Sequence, residues 1–150
     1  MIRLVPFQAE HAAMLELRPE AAAVLNRIGP QKALARSYAA AGPAWTLLWN
    51  DDVAACGGVV RFWPGVGELW CWTGAPADGC GLAFARRARR VVDGLFRADG
   101  FHRLQAHVRL DDAQARRFAR FLGLSQEGRC PGYGPDGATY QLYGRVQWRQ

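Results

Sequence analysis

The sequence is nearly without lysine. Lys32 is the only one, so a net charge of +6 over 150 residues rests almost wholly on arginine. Such a surface keeps a protein solvated, and it also attracts nucleic acid, acidic partners or phosphorylated ligands; charge alone does not choose among them. No basic strand interleaved with aromatic residues, the pattern that stacks bases, is present, so nucleic acid is the weakest of these readings. Cysteine is sparse: Cys56, Cys71, Cys80 and Cys130 form no Cys-x-x-Cys pair and have no histidine at ligand spacing. That argues against zinc, leaves no metal site expected and fits a reducing compartment. No apolar run approaches the ~20 residues that cross a bilayer, and MIRLVPFQAEH lacks the basic, apolar and small-residue regions of a signal peptide. The expectation is a cytoplasmic protein with no membrane partner. Internal repeats, low-complexity tracts and Ser/Gly linkers are missing as well. One continuous domain over residues 1–150 is expected, apolar enough at 50% to bury a core without disulfide or metal staples.

What is present is a sequence of alternating elements. Ile2 to Pro6 reads as a first strand, followed by helical patterns from Gln8 to about Leu17, around Arg18 to Gly29, and from Pro30 to Ala41. Ala44 to Asn50 and Val53 to Trp63 are strands separated by Asn50, Asp51 and Asp52, the chemistry of a tight hairpin. Pro64 to Gly67 reverses the chain into a third strand, Glu68 to Gly74. Leu82 to Ala98 repeats Phe84, Ala88, Val91, Val92, Leu95 and Phe96 at helical spacing, with Gly100 as its stop. His102 to Leu110 alternates like a strand, Asp111 or Asp112 can cap a helix from Ala113 to Leu122, and the tail forms a hairpin turning at Pro135, Asp136 and Gly137. Trp45, Trp49, Trp63, Trp70 and Trp72 are expected in the core or a cleft wall, with Trp70 and Trp72 on one sheet face.

The segment PADGCGLAFARRARR places Gly79 and Gly81 ahead of the arginine-rich helix. A helix start leaves N–H groups without intrahelical partners and carries the positive end of the dipole, and glycine lets a phosphate approach the backbone. A plain strand-to-helix turn accounts for the same residues. The strand and helix order, with this loop and with DAQARRFARFLGL near the end, resembles the GNAT superfamily of coenzyme A-dependent N-acyltransferases over nearly the whole chain. The family loop reads Gln/Arg-x-x-Gly-x-Gly/Ala; here Pro76 takes the first place, and Gly79 and Gly81 match. In the second motif Asp112 stands for the family Asn, Ala115 and Gly123 match, and Ala119 replaces a tyrosine. RFARFLGLSQEG followed by PDGATYQLY is similar to short GNAT-like proteins of tailed bacteriophages.

The resemblance implies an α/β (α+β) GNAT fold, with a central mixed, mostly antiparallel sheet and helices on both faces. It implies acetyl-CoA as acyl donor. Backbone donors from Cys71, Trp72 and Thr73 would meet the pantetheine arm and acyl oxygen, and Asp78, Gly79, Cys80, Gly81 and Leu82 would form the phosphate loop. Arg86, Arg87 and Arg90 would pair with its phosphates, and Asp112 would take the place of the family Asn. A solvated arginine face is the plainer reading of the arginines. Glu68 is the general-base candidate, and an ion pair with one of the many arginines explains it equally. His107 lies on the polar phase of its strand. With Ala119 in the tyrosine's place, Tyr133 or Tyr140 on the final hairpin, or water, would protonate the departing thiolate. Cys80 as an acyl-carrying nucleophile would need an activating base that the sequence does not identify.

The implied activity is N-acetyl transfer to an amine of a small molecule or protein by direct attack in a ternary complex. The alternative is a non-catalytic GNAT-like phage protein acting in virion assembly or host interaction. A homodimer is compatible with either.

Overall fold

The structure, a computed structural model, describes residues 1–148. Its elements run β1 (Ile2–Pro6), α1 (Ala9–Ala13), α2 (Pro19–Ile28), α3 (Gln31–Ala41), β2 (Ala44–Trp49), β3 (Asp52–Trp63), β4 (Val66–Thr73), α4 (Ala75–Ala98), β5 (Arg103–Arg109), α5 (Ala113–Phe121), β6 (Ser125–Cys130) and β7 (Tyr140–Val146). The seven strands form a mixed sheet in the order β1-β2-β3-β4-β5-β7-β6. The fold is thus of the α/β class expected. β4 and β5 pair in parallel, and β1 with β2, β2 with β3, β5 with β7 and β6 with β7 pair antiparallel. The β2–β3 turn uses Asn50 and Asp51 at φ 51° and 68°. That left-handed pair matches the right-handed twist of a two-residue hairpin, which is why Asn and Asp stand there.

Two compact units make up the chain. The first comprises Met1–Val60 and Leu69–Phe84. One of its apolar clusters joins Phe7, Ala12, Leu15, Ala35, Cys56 and Trp72, with Tyr38 and Trp70 packed against them. Trp70 and Trp72 do share a face, their rings 5.1 Å apart. The other cluster joins Leu47, Ala54, Ala55, Ala77 and Cys80, with Trp49 and Phe84 beside them.

The second unit comprises Arg61–Glu68 and the chain from Ala85 onward. Val92, Leu95, Phe96, Phe101, Leu104, Leu122, Leu124 and Tyr143 are buried there. Arg145 lies over the Phe96 ring, donates to Leu122 O at 3.1 Å and reaches Asp93 at 2.8 Å. Partial burial alone would raise the Asp93 carboxyl; the hydrogen bonds from Arg145 and Arg89 outweigh it and hold the group below its ordinary range. Trp63 does not join the core as expected. It is 61% exposed near the β3–β4 turn, its ring 5.7 Å from that of Phe62.

The largest departure from the sequence reading is the start of α4. The helix begins at Ala75 rather than Leu82, so Asp78, Gly79, Cys80 and Gly81 lie in its first two turns instead of in a loop. Packing explains this. Ala77, Cys80 and Phe84 follow helical spacing and face the cluster around Leu47, Ala54 and Ala55. That burial outweighs a helix-propensity cost of about 1 kcal/mol for each glycine.

Candidate active site

β5 positions the polar side chains. Residues 103, 105, 107 and 109 share one face of the strand, and each finds a carboxylate. Arg103 donates through both terminal nitrogens to Glu127, at 2.6 and 3.1 Å. Gln105 Nε2 donates to Glu68 Oε1 at 3.0 Å, and His107 Nδ1 lies 2.7 Å from Glu68 Oε2. Arg109 reaches Asp136 Oδ2 at 2.8 Å and Asp111 Oδ1 at 3.3 Å.

The register of the parallel ladder makes this possible. Val66, Gly67 and Glu68 of β4 face Arg103, Leu104 and Gln105, so Glu68 stands beside Gln105 and within reach of the imidazole two residues further on. The Glu68 and His107 side chains are 20% and 14% exposed. Water is largely displaced from the pair, which strengthens the charge-assisted contact.

The segment between β6 and β7 completes this arrangement. Tyr133 lays its ring on the imidazole of His107, with centroids 4.2 Å apart and planes 11° from parallel. Tyr140 stands 5.3 Å from Tyr133, with the Arg109 guanidinium 6.0 Å above its ring. The loop carrying Tyr133 is closed by Gly134 N donating to Ala138 O at 3.0 Å and Gly137 N donating to Gly134 O at 2.8 Å. Arg109 pins it through Asp136, whose carboxyl it holds below the ordinary range; Arg103 does the same to Glu127. Glu68 and Tyr133 thus both contact His107, and Tyr140 stands beside Tyr133.

Gln105 was missed. The signal was present in LQAHVRL, where Gln105, His107 and Arg109 alternate on one face, but only strand pairing shows that Glu68 is opposite.

The residues expected to grip the phosphates are placed differently. In the helix starting at Ala75 the N–H groups of Gly79, Cys80, Gly81 and Leu82 fall in the interior, where they bond to preceding carbonyls. The free, converging amides expected at 78–82 are therefore absent. Ala77 N is also engaged, with Gly74 O at 3.0 Å, and Pro76 has no N–H. Two features nevertheless suit an anion. Asp78 is turned toward Arg18, with which it pairs at 2.5 Å. A Cβ added to Gly81 would meet nothing within 4 Å, and one at Gly79 would make only ordinary contact with Trp49. The helix backbone is thus open to close approach at both positions.

Leu82 and Arg86 are exposed, and Arg87 is half-buried. Cys71, Trp72 and Thr73 lie at the end of β4, beyond Glu68, the last residue of the β4–β5 ladder. Trp72 is buried in the first apolar cluster, while Cys71 is exposed. Asp112 serves as the N-cap of α5, accepting from Ala115 N at 3.0 Å. Cys80 is not placed as a nucleophile. It is buried, its thiol faces the carbonyls of Pro76 and Ala77, and burial pushes its pKa up, away from the reactive thiolate.

No family model matches the sequence, and no curated protein shows significant sequence similarity to it. Solved structures do resemble it in three dimensions. The yncA protein of Salmonella typhimurium, solved with its cofactor acetyl-CoA, superposes with a TM-score of 0.76 at 16% identity, over 99% of this chain and 95% of that one. A GNAT-family acetyltransferase from Bacillus anthracis gives 0.74 at 13% identity, over 97% and 94%. A chimera of the spermidine N-acetyltransferase SpeG from Vibrio cholerae and hSSAT gives 0.71 at 13% identity, over 97% and 95%. The chain has the GNAT fold.

Within the GNAT fold the departure at Ala119 becomes concrete. That residue is only 4% exposed, and its methyl group puts no hydroxyl where the family pattern has tyrosine. Tyr143 of β7 does other work: it is fully buried, and its hydroxyl accepts from Arg116 Nε of α5 at 3.1 Å. Among the described residues, no helix is long and apolar enough to cross a membrane.

Proposed function

We propose that this protein is an acetyl-CoA-dependent N-acyltransferase of the cytoplasm. Its acceptor is an amine of a small molecule or a protein, and the amine attacks the thioester directly in a ternary complex. The observation that carries this reading is the Glu68 to His107 contact of 2.7 Å, a proton-handling pair on the β4 and β5 strands of a GNAT fold. The attacking amine must lose a proton, and the pair supplies a partly desolvated acceptor for it.

The acyl donor is a substrate in this reading. Its diphosphate lies against the first two turns of α4, where Gly79 and Gly81 expose the backbone and the helix dipole favours an anion. Leu82 borders this surface, and Arg86 and Arg87, further along the helix, supply charge. Backbone N–H groups of Cys71 to Thr73 hold the thioester oxygen, stabilising the charge that develops there. With Ala119 lacking a hydroxyl, Tyr133 or Tyr140 is the protein group available to protonate the thiolate, and water serves otherwise. A thiol tolerates weak acid assistance because its own pKa is about 8.5.

The test is thermal and kinetic. Acetyl-CoA at millimolar concentration raises the melting temperature, and free thiol then appears when amines are added, spermidine among them. Stabilisation without thiol release from any amine points to a binding protein. No stabilisation at all removes the acyltransferase reading and returns the non-catalytic alternative.

A further inference from the structure

An acyltransferase reading leaves open which member of the pair takes the proton. We propose that the proton acceptor is His107 Nε2 and that Glu68 is its positioning residue; this inference rests on the acyl-transfer reading above.

Both carboxylate oxygens of Glu68 are occupied. Gln105 Nε2 donates to one at 3.0 Å and His107 Nδ1 sits at 2.7 Å from the other. To take a substrate proton, Glu68 would have to surrender one of these bonds where little water can replace it. Gln105 donates to one oxygen, and as a carboxylate Glu68 has no proton to give to the other contact, so the proton of the second bond resides on Nδ1. A neutral imidazole with Nδ1 protonated has its lone pair on Nε2, on the opposite side of the ring.

The ring cannot easily turn away from this pose. Glu68 fixes its Nδ1 edge, Tyr133 covers one face at 4.2 Å, and the Tyr133 loop is itself fastened by Arg109 to Asp136 at 2.8 Å. Neither of these two contacts engages the Nε2 edge. The arrangement matches the general logic of a base oriented by a third group.

The acceptor nitrogen attacks the thioester carbonyl and loses one proton to Nε2 as the C–N bond forms. The C–S bond then breaks, the departing thiolate takes a proton from Tyr133, Tyr140 or water, and the proton held on Nε2 replaces the one that donor gave up. Glu68 stabilises the imidazolium throughout and does not change its own protonation.

Nitrogen-15 NMR of histidine-labelled protein at pH 8 tests the assignment without any activity. His107 is expected as the Nδ1-protonated tautomer in the native chain, and Glu68→Gln is expected to convert it to a mixture without lowering the melting temperature. Thiol release from acetyl-CoA with spermidine is expected to fall by about 10²-fold or more in His107→Ala and to be restored in part by added imidazole. The same imidazole is expected to do nothing for Glu68→Gln. A Nε2-protonated tautomer in the native chain overturns the proposal, as does a His107→Ala protein within threefold of native activity while Glu68→Gln is inactive. If the native protein releases no thiol with any amine, the acyl-transfer reading fails, and the tautomer alone decides whether Glu68 positions His107.

Discussion

Replacing Gly81 by alanine should make this protein more stable and a poorer binder of acetyl-CoA. The residue lies in a helix, is not among the glycines with left-handed backbone, and a Cβ there would meet nothing within 4 Å. Nothing in the free protein therefore opposes the methyl group, and the exchange should recover the propensity difference of about 1 kcal/mol. For a domain of this size that is a rise in melting temperature of about 2–4 °C. Gly94 is the internal control, because it lies on the same helix and a Cβ there also meets nothing within 4 Å. Gly94→Ala should give the same gain.

The two variants part company with ligand. If the diphosphate approaches the backbone at Gly81, a tenfold loss of affinity removes about 1.4 kcal/mol of ligand stabilisation, which is about 3–6 °C of the acetyl-CoA shift. Gly94→Ala should keep the full shift, and Gly81→Glu should fold normally and show none. Differential scanning fluorimetry with and without acetyl-CoA reads all of this. Equal acetyl-CoA shifts in Gly81→Ala, Gly94→Ala and the native chain would refute the placement of the diphosphate at the start of α4. Loss of stability in Gly81→Ala would refute the helix itself.

Two further outcomes follow from the carboxylates of the second unit. Arg109 holds the Asp136 carboxyl below its ordinary value of 3.8, so the contact contributes fully above that pH and is lost as the pH falls through the depressed folded value. Amide exchange at Gly134, Gly137 and Ala138 should accelerate in that acid window, and Asp136→Asn should loosen the loop already at neutral pH; unchanged exchange would show that the loop does not depend on Arg109. Arg145→Met should cost about 1–3 kcal/mol at pH 7, less than a fully buried pair because Asp93 is 29% exposed and keeps Arg89. The Asp93 carboxyl is also depressed, so the loss in urea midpoint should shrink as the pH falls below 3.8, and a pH-independent loss would assign it to packing on Phe96.

Much of the backbone was legible because its signals are local. β1 spans Ile2–Pro6 as read, Asn50 and Asp51 mark the hairpin, and Asp112 caps α5. Each depends on a few adjacent residues, whose steric and hydrogen-bonding preferences act before any tertiary contact. The α4 start was misread for the complementary reason. Pro76, Gly79 and Gly81 carry the local signature of a loop, while the stripe of Ala77, Cys80 and Phe84 acquires meaning only against Leu47, Ala54 and Ala55, far away in sequence.

The sequence by itself thus determined which segments become strands and helices, and the resemblance of their order and motifs already pointed to the GNAT fold. Tertiary structure alone decided which side chains meet. Glu68 and His107 are 39 residues apart, and a parallel register one residue different would turn one of them to the other face of the sheet. That register is set by the burial of side chains distributed over both strands and the helix between them, a sum over the folded chain that no short stretch of residues contains.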